Sequence, residues 1–134
     1  RPDAVRPWQH VLEPLLGYIK LAEAIWDVPN TIEAVNFGPD RGDVLPVRKL
    51  IEGAQLAFGS GETHFAETIR GPHEAGLLSL NNEHAREALN VSPRWQTDIA
   101  IAKTMNWYKR FYDGESAREL CLADIDQYEG SNAV

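Results

Sequence analysis

The chain has 134 residues, enough for one domain with its own core and too few for two large domains. Hydrophobic residues make up 43% and charged residues 25%, which is the balance of an ordinary globular protein. The net charge of −7 argues against nucleic acid or an anionic membrane surface as partner, because both need a basic footprint. We therefore expect a single domain spanning residues 1–134.

Cysteine usage and hydropathy indicate the compartment. The single cysteine, Cys121, excludes an internal disulfide framework, and its helical surroundings predict a buried thiol rather than a reactive one. No apolar run approaches the roughly 18 residues of a membrane span, and the first residues do not resemble a signal peptide. We expect a cytoplasmic protein with no membrane partner.

The first predicted element begins at Arg6-Pro7-Trp8-Gln9-His10-Val11, where a guanidinium leads into a short aromatic and polar strand. Arginine offers planar, permanently charged donors in pairs, and α/β folds hold ligands at strand-to-helix junctions. Pro7 stiffens the backbone beside the guanidinium. We predict that Arg6 binds phosphate, and the alternative is a surface arginine paired with Asp3.

A helix, a strand and a second helix follow in the sequence. Apolar residues at helical spacing predict a helix from Glu13 to about Asp27, with the acidic residue at the positive end of the helix dipole. Residues 33–38 form a short apolar run closed by Gly-Pro, which predicts a buried strand. Pro46 begins the second helix, and Gly59 ends it.

The next predicted elements are a strand at Thr63–Thr68 and a loop over residues 70–75. In that loop Glu74 could accept both hydrogen bonds of a ribose 2′,3′-diol, and His73 could stack or donate. An ordinary polar loop is an equally good interpretation of these residues alone.

Three more helices complete the pattern. Residues 82–89 form a short helix capped by Asn81, and Thr97 caps a longer helix that ends at Gly114. A last helix covers about residues 115–125. The apolar positions predicted to face inward are Ile101, Met105 (or Thr104), Tyr108, Phe111, Leu120, Cys121 and Ile125. About five helices and two or three short strands indicate a helix-rich α/β or α+β domain, with too few strands to close a sheet alone.

Several catalytic motifs are missing from the sequence. No Gly-x-Gly-x-x-Gly follows a strand, no Walker motif is present, and no tyrosine has a lysine four residues later. We therefore predict no cofactor-binding and no catalytic residues in this chain. The histidines lack the spacing of metal ligands, so no metal site is expected; they are His10, His64, His73 and His84.

Three segments resemble, in the right order, motifs of the extended short-chain dehydrogenases. Arg6-Pro7-Trp8-Gln9-His10-Val11 corresponds to Arg-Asp-Trp/Tyr-x-x-Val, and Val35-Asn36-Phe37-Gly38 corresponds to the strand end Tyr-Asn-x-Gly. Residues 85–93, followed by Trp107-Tyr108, correspond to Lys-Ala-x-x-x-Leu-Gly-Trp-x-Pro and the final helix. Together with Pro72-His73-Glu74-Ala75, the first segment most resembles the CDP-glucose 4,6-dehydratases.

The resemblance implies an activity and a cofactor. Such enzymes, which serve deoxysugar synthesis for the lipopolysaccharide O-antigen, oxidise a hexose C4 hydroxyl with tightly held NAD. They then eliminate water across C5 and C6 and return the hydride to C6. This chain would be the C-terminal, substrate-binding part, with the NAD-binding Rossmann domain and the Tyr/Lys pair outside it. We expect the chain to be inactive alone. We also expect it to self-associate, because the apolar surface that packs against the rest of the enzyme would be exposed.

The resemblance also assigns roles to residues. Arg6 would contact the diphosphate of a CDP-sugar, and Glu74 would hold its ribose, with His73 beside it. Arg70 lies near the position of a second phosphate-binding arginine. Asn90-Val91 replaces the usual Gly-Trp, a departure that bears on how close the relationship is more than on ligand binding. Two alternatives stay open. One is an epimerase or reductase of the same superfamily, because this half of the fold is shared, and the other is a non-enzymatic helical interaction domain in which Arg6 is only structural.

Overall fold

The computed structural model describes residues 1–29, 32–66 and 75–131. Within these ranges the chain forms five helices and two short strands, as the sequence predicted. In chain order they are β1 (Val5–Arg6), α1 (Leu12–Asp27), β2 (Leu45–Pro46), α2 (Val47–Phe58), α3 (Glu83–Leu89), α4 (Thr97–Tyr112) and α5 (Ala117–Glu129). The predicted helix-rich fold class with few strands is confirmed.

The small two-stranded sheet contains Arg6, the residue predicted to bind phosphate. β1 and β2 pair antiparallel, with Arg6 opposite Leu45. On its other side Val5 donates its N–H to the Gly76 carbonyl at 2.7 Å and accepts the Leu78 N–H at 3.1 Å. Three stretches distant in sequence therefore meet at Val5, and they hold the backbone next to Arg6 from both sides.

The predicted aromatic strand after Arg6 is wrong, because β1 ends at that residue. The following residues are irregular and are held by Trp8, whose indole N–H donates to the Leu45 carbonyl at 3.0 Å. Pro7 explains the end of the strand, since proline has no N–H to donate to a ladder.

Residues 33–38 do not form the predicted strand either. The carbonyls of Phe37 and Gly38 instead accept side-chain amides, from Gln9 at 3.2 Å and from Asn82 at 3.0 Å. An apolar run becomes a strand only where a neighbouring strand supplies backbone partners, and no described residue does so here. Residues 63–66 are also not a strand, and the rest of that prediction lies outside the described residues.

Helix α1 has the predicted length, but the opposite face is buried. Glu13 and Gly17 are buried, whereas the apolar positions Leu15, Ile19 and Trp26 are 45%, 59% and 85% exposed. Gly17 allows a close approach, because a Cβ there would lie 2.5 Å from the ring of Phe37. The polar-looking side of the helix therefore faces the domain, and its apolar side faces outward.

The bounds of the second helix were predicted correctly, because residues at each end mark them in the local sequence. Helix α2 follows Pro46 directly and ends before Gly59, which has a φ of 88° and donates its N–H to the Gln55 carbonyl at 2.8 Å. Only glycine adopts that left-handed conformation without strain.

Thr97 is not the cap of α4 but its first residue. The cap comes from Asp43, whose Oδ2 accepts the Thr97 N–H at 2.8 Å. The Thr97 side chain is fully buried, and its single hydroxyl proton is shared between the backbone carbonyls of Trp8 at 3.3 Å and Asp43 at 3.2 Å. Helix α3 begins at Glu83 with Asn82 at its cap position, one residue later than predicted, and Asn81 Oδ1 accepts the Glu83 N–H at 3.0 Å.

Helices α2 and α5 pack against α4, and α1 packs against α3. The core is formed without α2, which has no buried residue. Its buried hydrophobic side chains are Ala4, Ala85, Leu89, Trp95, Ala100, Leu120 and Tyr128. Cys121 is exposed, so the prediction of a buried thiol is wrong. Tyr108 and Ile125 are 46% and 37% exposed, because they line a groove beside α4 and α5, and Phe111 is 42% exposed.

Candidate functional site

Arg6 stands at the end of β1 with its backbone fixed by the small sheet. Its side chain is half-buried, and Nη1 donates to the Val5 carbonyl at 2.7 Å. Asp3 is the carboxylate that the alternative interpretation paired with Arg6. It forms an ion pair with Arg48 at 3.4 Å. The structure thus holds Arg6 on a rigid backbone.

The other three predicted substrate-binding residues, Arg70, His73 and Glu74, lie outside the described residues. Ala75 is the first described residue after them, and the carbonyl of the next residue, Gly76, accepts the Val5 N–H. Arg6 therefore lies beside the segment that continues from the Pro-His-Glu sequence.

A groove of about 570 Å³ opens between the first turn of α1 and helices α4 and α5. We call it the His10 groove. Its walls are mostly apolar, with a few polar groups. The lining includes His10, Leu12, Trp107, Tyr108, Cys121 and Asp124. In the sequence His10 stands out only as part of a motif, and no pattern marks Asp124 as functional.

A smaller cavity of about 210 Å³ lies between α2 and α4, lined by Trp8, Leu50 and Met105 among others. Arg6 is not among the lining residues of this cavity or of the His10 groove. The candidate phosphate-binding residue and the two cavities are therefore separate features of the described surface.

His10 is 5% exposed. Its Nδ1 accepts the Leu12 N–H at 3.3 Å, and its ring packs edge-on against Trp95 with 4.8 Å between the ring centroids. Burial lowers the pKa of His10 below its usual value, the charge of Asp124 acts in the opposite direction, and Lys103 lowers it again. His10 is therefore the neutral imidazole at neutral pH, and the proton resides on Nε2 because Nδ1 is an acceptor.

The carboxylate of Glu13, which is buried, organises the neighbourhood of the groove. It accepts the backbone N–H of Arg94 at 3.0 Å, the backbone N–H of Trp95 at 2.8 Å and the hydroxyl of Tyr128 at 2.6 Å. Burial and the bond to Glu13 raise the pKa of Tyr128 far above its usual value, so the phenol stays protonated. The role of Glu13 is structural: it ties the start of α1 to the loop before α4 and to the end of α5.

The sequence marks Glu13 only as a negative charge at the start of a helix. The groups that donate hydrogen bonds to Glu13 lie 81 to 115 positions away in the sequence. A local sequence pattern cannot predict contacts between residues so far apart.

Two other kinds of site are absent from the described residues. No cluster of three or more histidine, cysteine, aspartate or glutamate side chains is arranged to hold a metal ion. None of the helices in the described ranges combines the length and apolar character needed to cross a membrane.

Comparison with known proteins identifies a relative. No protein-family model matches the chain. The chain is 31% identical over 128 residues to a CDP-glucose 4,6-dehydratase from Salmonella typhimurium. The alignment covers 95% of this chain and 36% of that protein, so the chain spans about a third of its relative's length. The resemblance that the sequence motifs predicted is confirmed: almost the whole chain is related to part of a CDP-glucose 4,6-dehydratase.

Proposed function

We propose that this chain is the nucleotide-sugar-binding portion of an NAD-dependent CDP-glucose 4,6-dehydratase. The observation that carries the proposal is the 31% identity over 128 residues to such an enzyme. Because the similarity spans about a third of that enzyme, we assign to this chain the binding of the CDP-sugar and not the reaction. The oxidation at C4, the loss of water and the return of the hydride are assigned to residues outside it.

We assign the diphosphate of the CDP-sugar to Arg6. A guanidinium binds phosphate oxygens with two parallel hydrogen bonds. A fixed backbone lowers the entropy lost on binding, and Arg6 has one, because β2 and the 76–78 segment hold β1 on both sides. We assign the ribose of the CDP-sugar to Glu74, which lies outside the described residues, from the match of its sequence position to the family motif.

NAD does not fit the described part of this chain. A dinucleotide needs a glycine-rich turn between a strand and a helix, where backbone N–H groups approach the pyrophosphate. β1 is followed by Pro7, and β2 runs directly into α2 through Pro46 and Val47. We therefore assign the cofactor to residues outside this chain.

The test is calorimetric titration of the chain with CDP-glucose. The Arg6→Ala variant should bind about 10- to 150-fold more weakly, because a hydrogen bond to a charged group contributes roughly 1.5–3 kcal/mol. Arg6→Lys should recover only part of the loss, since lysine keeps the charge without the paired donors. Arg118→Ala, an exposed position on α5, is the matched control and should bind as the wild type does.

If the dissociation constant for CDP-glucose is the same in Arg6→Ala and in the wild type, Arg6 does not bind the ligand and its role is structural. NAD-dependent conversion of CDP-glucose by the chain alone would contradict the assignment of the chemistry to other residues.

A further inference from the structure

The residue two positions after Arg6 is held by three hydrogen bonds. The Trp8 backbone N–H donates to the Arg6 carbonyl at 3.2 Å, which makes Pro7 the centre of a tight three-residue turn. The Trp8 indole N–H donates to the Leu45 carbonyl at 3.0 Å, and the Trp8 carbonyl accepts from the Thr97 hydroxyl at 3.3 Å. The chain that leaves Arg6 is therefore fixed from three directions.

The bonds of Trp8 lead back to the strand opposite Arg6. Leu45 is the residue paired with Arg6 in the ladder of β1 and β2. The Thr97 hydroxyl also bonds to the carbonyl of Asp43, two residues before Leu45, at 3.2 Å. Trp8 thus belongs to one network with both strands of the small sheet and with the first residue of α4.

The network replaces a ladder that stops at Arg6. β1 ends at this residue, and Pro7 has no N–H with which the pairing could continue. The indole N–H of Trp8 supplies a donor to β2 at the point where the backbone cannot. A strand end without such a bond would open easily, because terminal residues are the least stable part of a ladder.

We propose that Trp8 is a positioning residue for the phosphate contact of Arg6, an inference that rests on the proposed binding of the diphosphate by Arg6. The guanidinium donates to the Val5 carbonyl at 2.7 Å, so its place follows the backbone that Trp8 holds. The Trp8 ring lines the cavity between α2 and α4, and Arg6 does not. Trp8 therefore acts through the backbone of Arg6, and it lowers the entropy that this side chain loses when a phosphate binds.

Trp8→Phe separates the hydrogen bond from the packing of the ring. Phenylalanine keeps an aromatic side chain beside the cavity, but it has no donor for the Leu45 carbonyl. Calorimetric titration of the chain with CDP-glucose should give about 2- to 10-fold weaker binding, as expected when one more side chain must be ordered on binding. Tyr128→Phe is the matched control, because it removes one hydrogen bond from the Glu13 network instead, and it should bind as the wild type does.

A double-mutant cycle distinguishes positioning from a general loss of structure. If Trp8 acts through Arg6, Trp8→Phe should weaken binding in the wild-type background and have no further effect in the Arg6→Ala background. A change that only destabilises the chain, or that removes a direct contact with the ligand, would weaken binding equally in both backgrounds.

The order of the Arg6 side chain can be measured without any ligand. The heteronuclear Overhauser effect at Arg6 Nε should fall in Trp8→Phe, because the guanidinium moves with a looser strand end, and it should keep its wild-type value in Tyr128→Phe. Thr97→Val removes the hydroxyl that bonds to the Trp8 carbonyl and should change the value in the same direction. It is the second variant, to be used if Trp8→Phe does not fold.

The proposal is overturned if Trp8→Phe binds CDP-glucose as tightly as the wild type, or if it weakens binding equally with and without Arg6. It is also overturned if Arg6 Nε stays as ordered in Trp8→Phe as in the wild type. Failure of the proposed function has a different signature. A wild type that binds no CDP-glucose contradicts the assignment of the diphosphate, and the order of Arg6 in Trp8→Phe then still decides whether Trp8 positions it.

Discussion

At the scale of single residues, the hydrogen bonds of Glu13 determine how the start of α1 is held. Three donors converge on this buried carboxylate, two from the backbone of Arg94 and Trp95 and one from Tyr128. A carboxylate is an acceptor at both oxygens, and it is therefore the side chain that matches three donors.

We expect Glu13→Gln to lower the free energy of unfolding by about 2–3 kcal/mol, because the amide group turns a donor toward buried donors. Tyr128→Phe removes one of the three bonds and should cost less, about 1–2 kcal/mol. Urea denaturation measures both changes. The neighbouring exposed carboxylate gives the control, since Glu129→Gln should stay within about 0.5 kcal/mol of the wild type. Equal stability of Glu13→Gln and Glu129→Gln would contradict the role assigned to the network.

At the scale of elements, α4 begins at a side chain contributed from elsewhere in the chain. Asp43 caps it through the Thr97 N–H, and the two residues are 54 positions apart. Because Thr97 also bonds to the carbonyl of Trp8, the same junction supports the segment between β1 and α1.

Asp43→Ala should lower stability by about 0.5–2 kcal/mol, the usual effect of losing a helix cap. Asp43→Asn should retain most of the stability, because the asparagine oxygen can accept the same N–H. The order of thermal midpoints, wild type and Asp43→Asn above Asp43→Ala, checks this expectation. Equal midpoints for the alanine and asparagine variants would show that the bond to Thr97 does not stabilise the helix.

The elements that the sequence predicted correctly are those with local signals. Helix α2 is bounded by Pro46 and Gly59, and both act through their own backbone angles. Residues 33–38 were predicted as a strand from an apolar run, but strand formation depends on a neighbour that the run does not encode. The covered face of α1 was missed for a similar reason, because periodicity identifies an apolar side without identifying what packs on it.

In the candidate site, too, residues marked by local sequence were predicted, and those that depend on packing were missed. Arg6 was found from its type and its place before Pro7, which are properties of the sequence. The groove formed by His10, Cys121 and Asp124 joins residues more than 100 positions apart, so only the position of the first turn of α1 relative to α4 and α5 reveals it. The exposed thiol of Cys121 was mispredicted because an apolar helical pattern does not distinguish a core position from a groove wall.

At the scale of the whole molecule, the outer face of α1 is apolar and exposed to solvent. Among the described helices, α1 has the most exposed apolar face. Val11, Leu15, Ile19 and Trp26 recur at helical spacing and are 61%, 45%, 59% and 85% exposed. Monomeric proteins seldom leave a continuous stripe of this kind in water. We propose that it drives self-association of the isolated chain.

Sedimentation analysis over a range of protein concentrations should show association of the wild type. The double change Ile19→Glu and Trp26→Glu should weaken it, because a charge within the stripe would have to be desolvated. Leu56→Glu is the control: Leu56 is 86% exposed but lies on α2, away from the stripe, and its change should leave association intact. A wild type that stays monomeric at the highest concentration would contradict the expectation.

The bond between Tyr128 and Glu13 joins side chains 115 positions apart in the sequence, so the last helix fastens the first turn of α1. Detachment of α5 would leave the Glu13 carboxylate with one acceptor site unfilled and would open the wall of the His10 groove at the same moment. Local opening in proteins follows such cooperative units. Amide protons at the beginning of α1 and at the end of α5 are therefore expected to exchange with deuterium at matching rates, as if they belonged to a single segment.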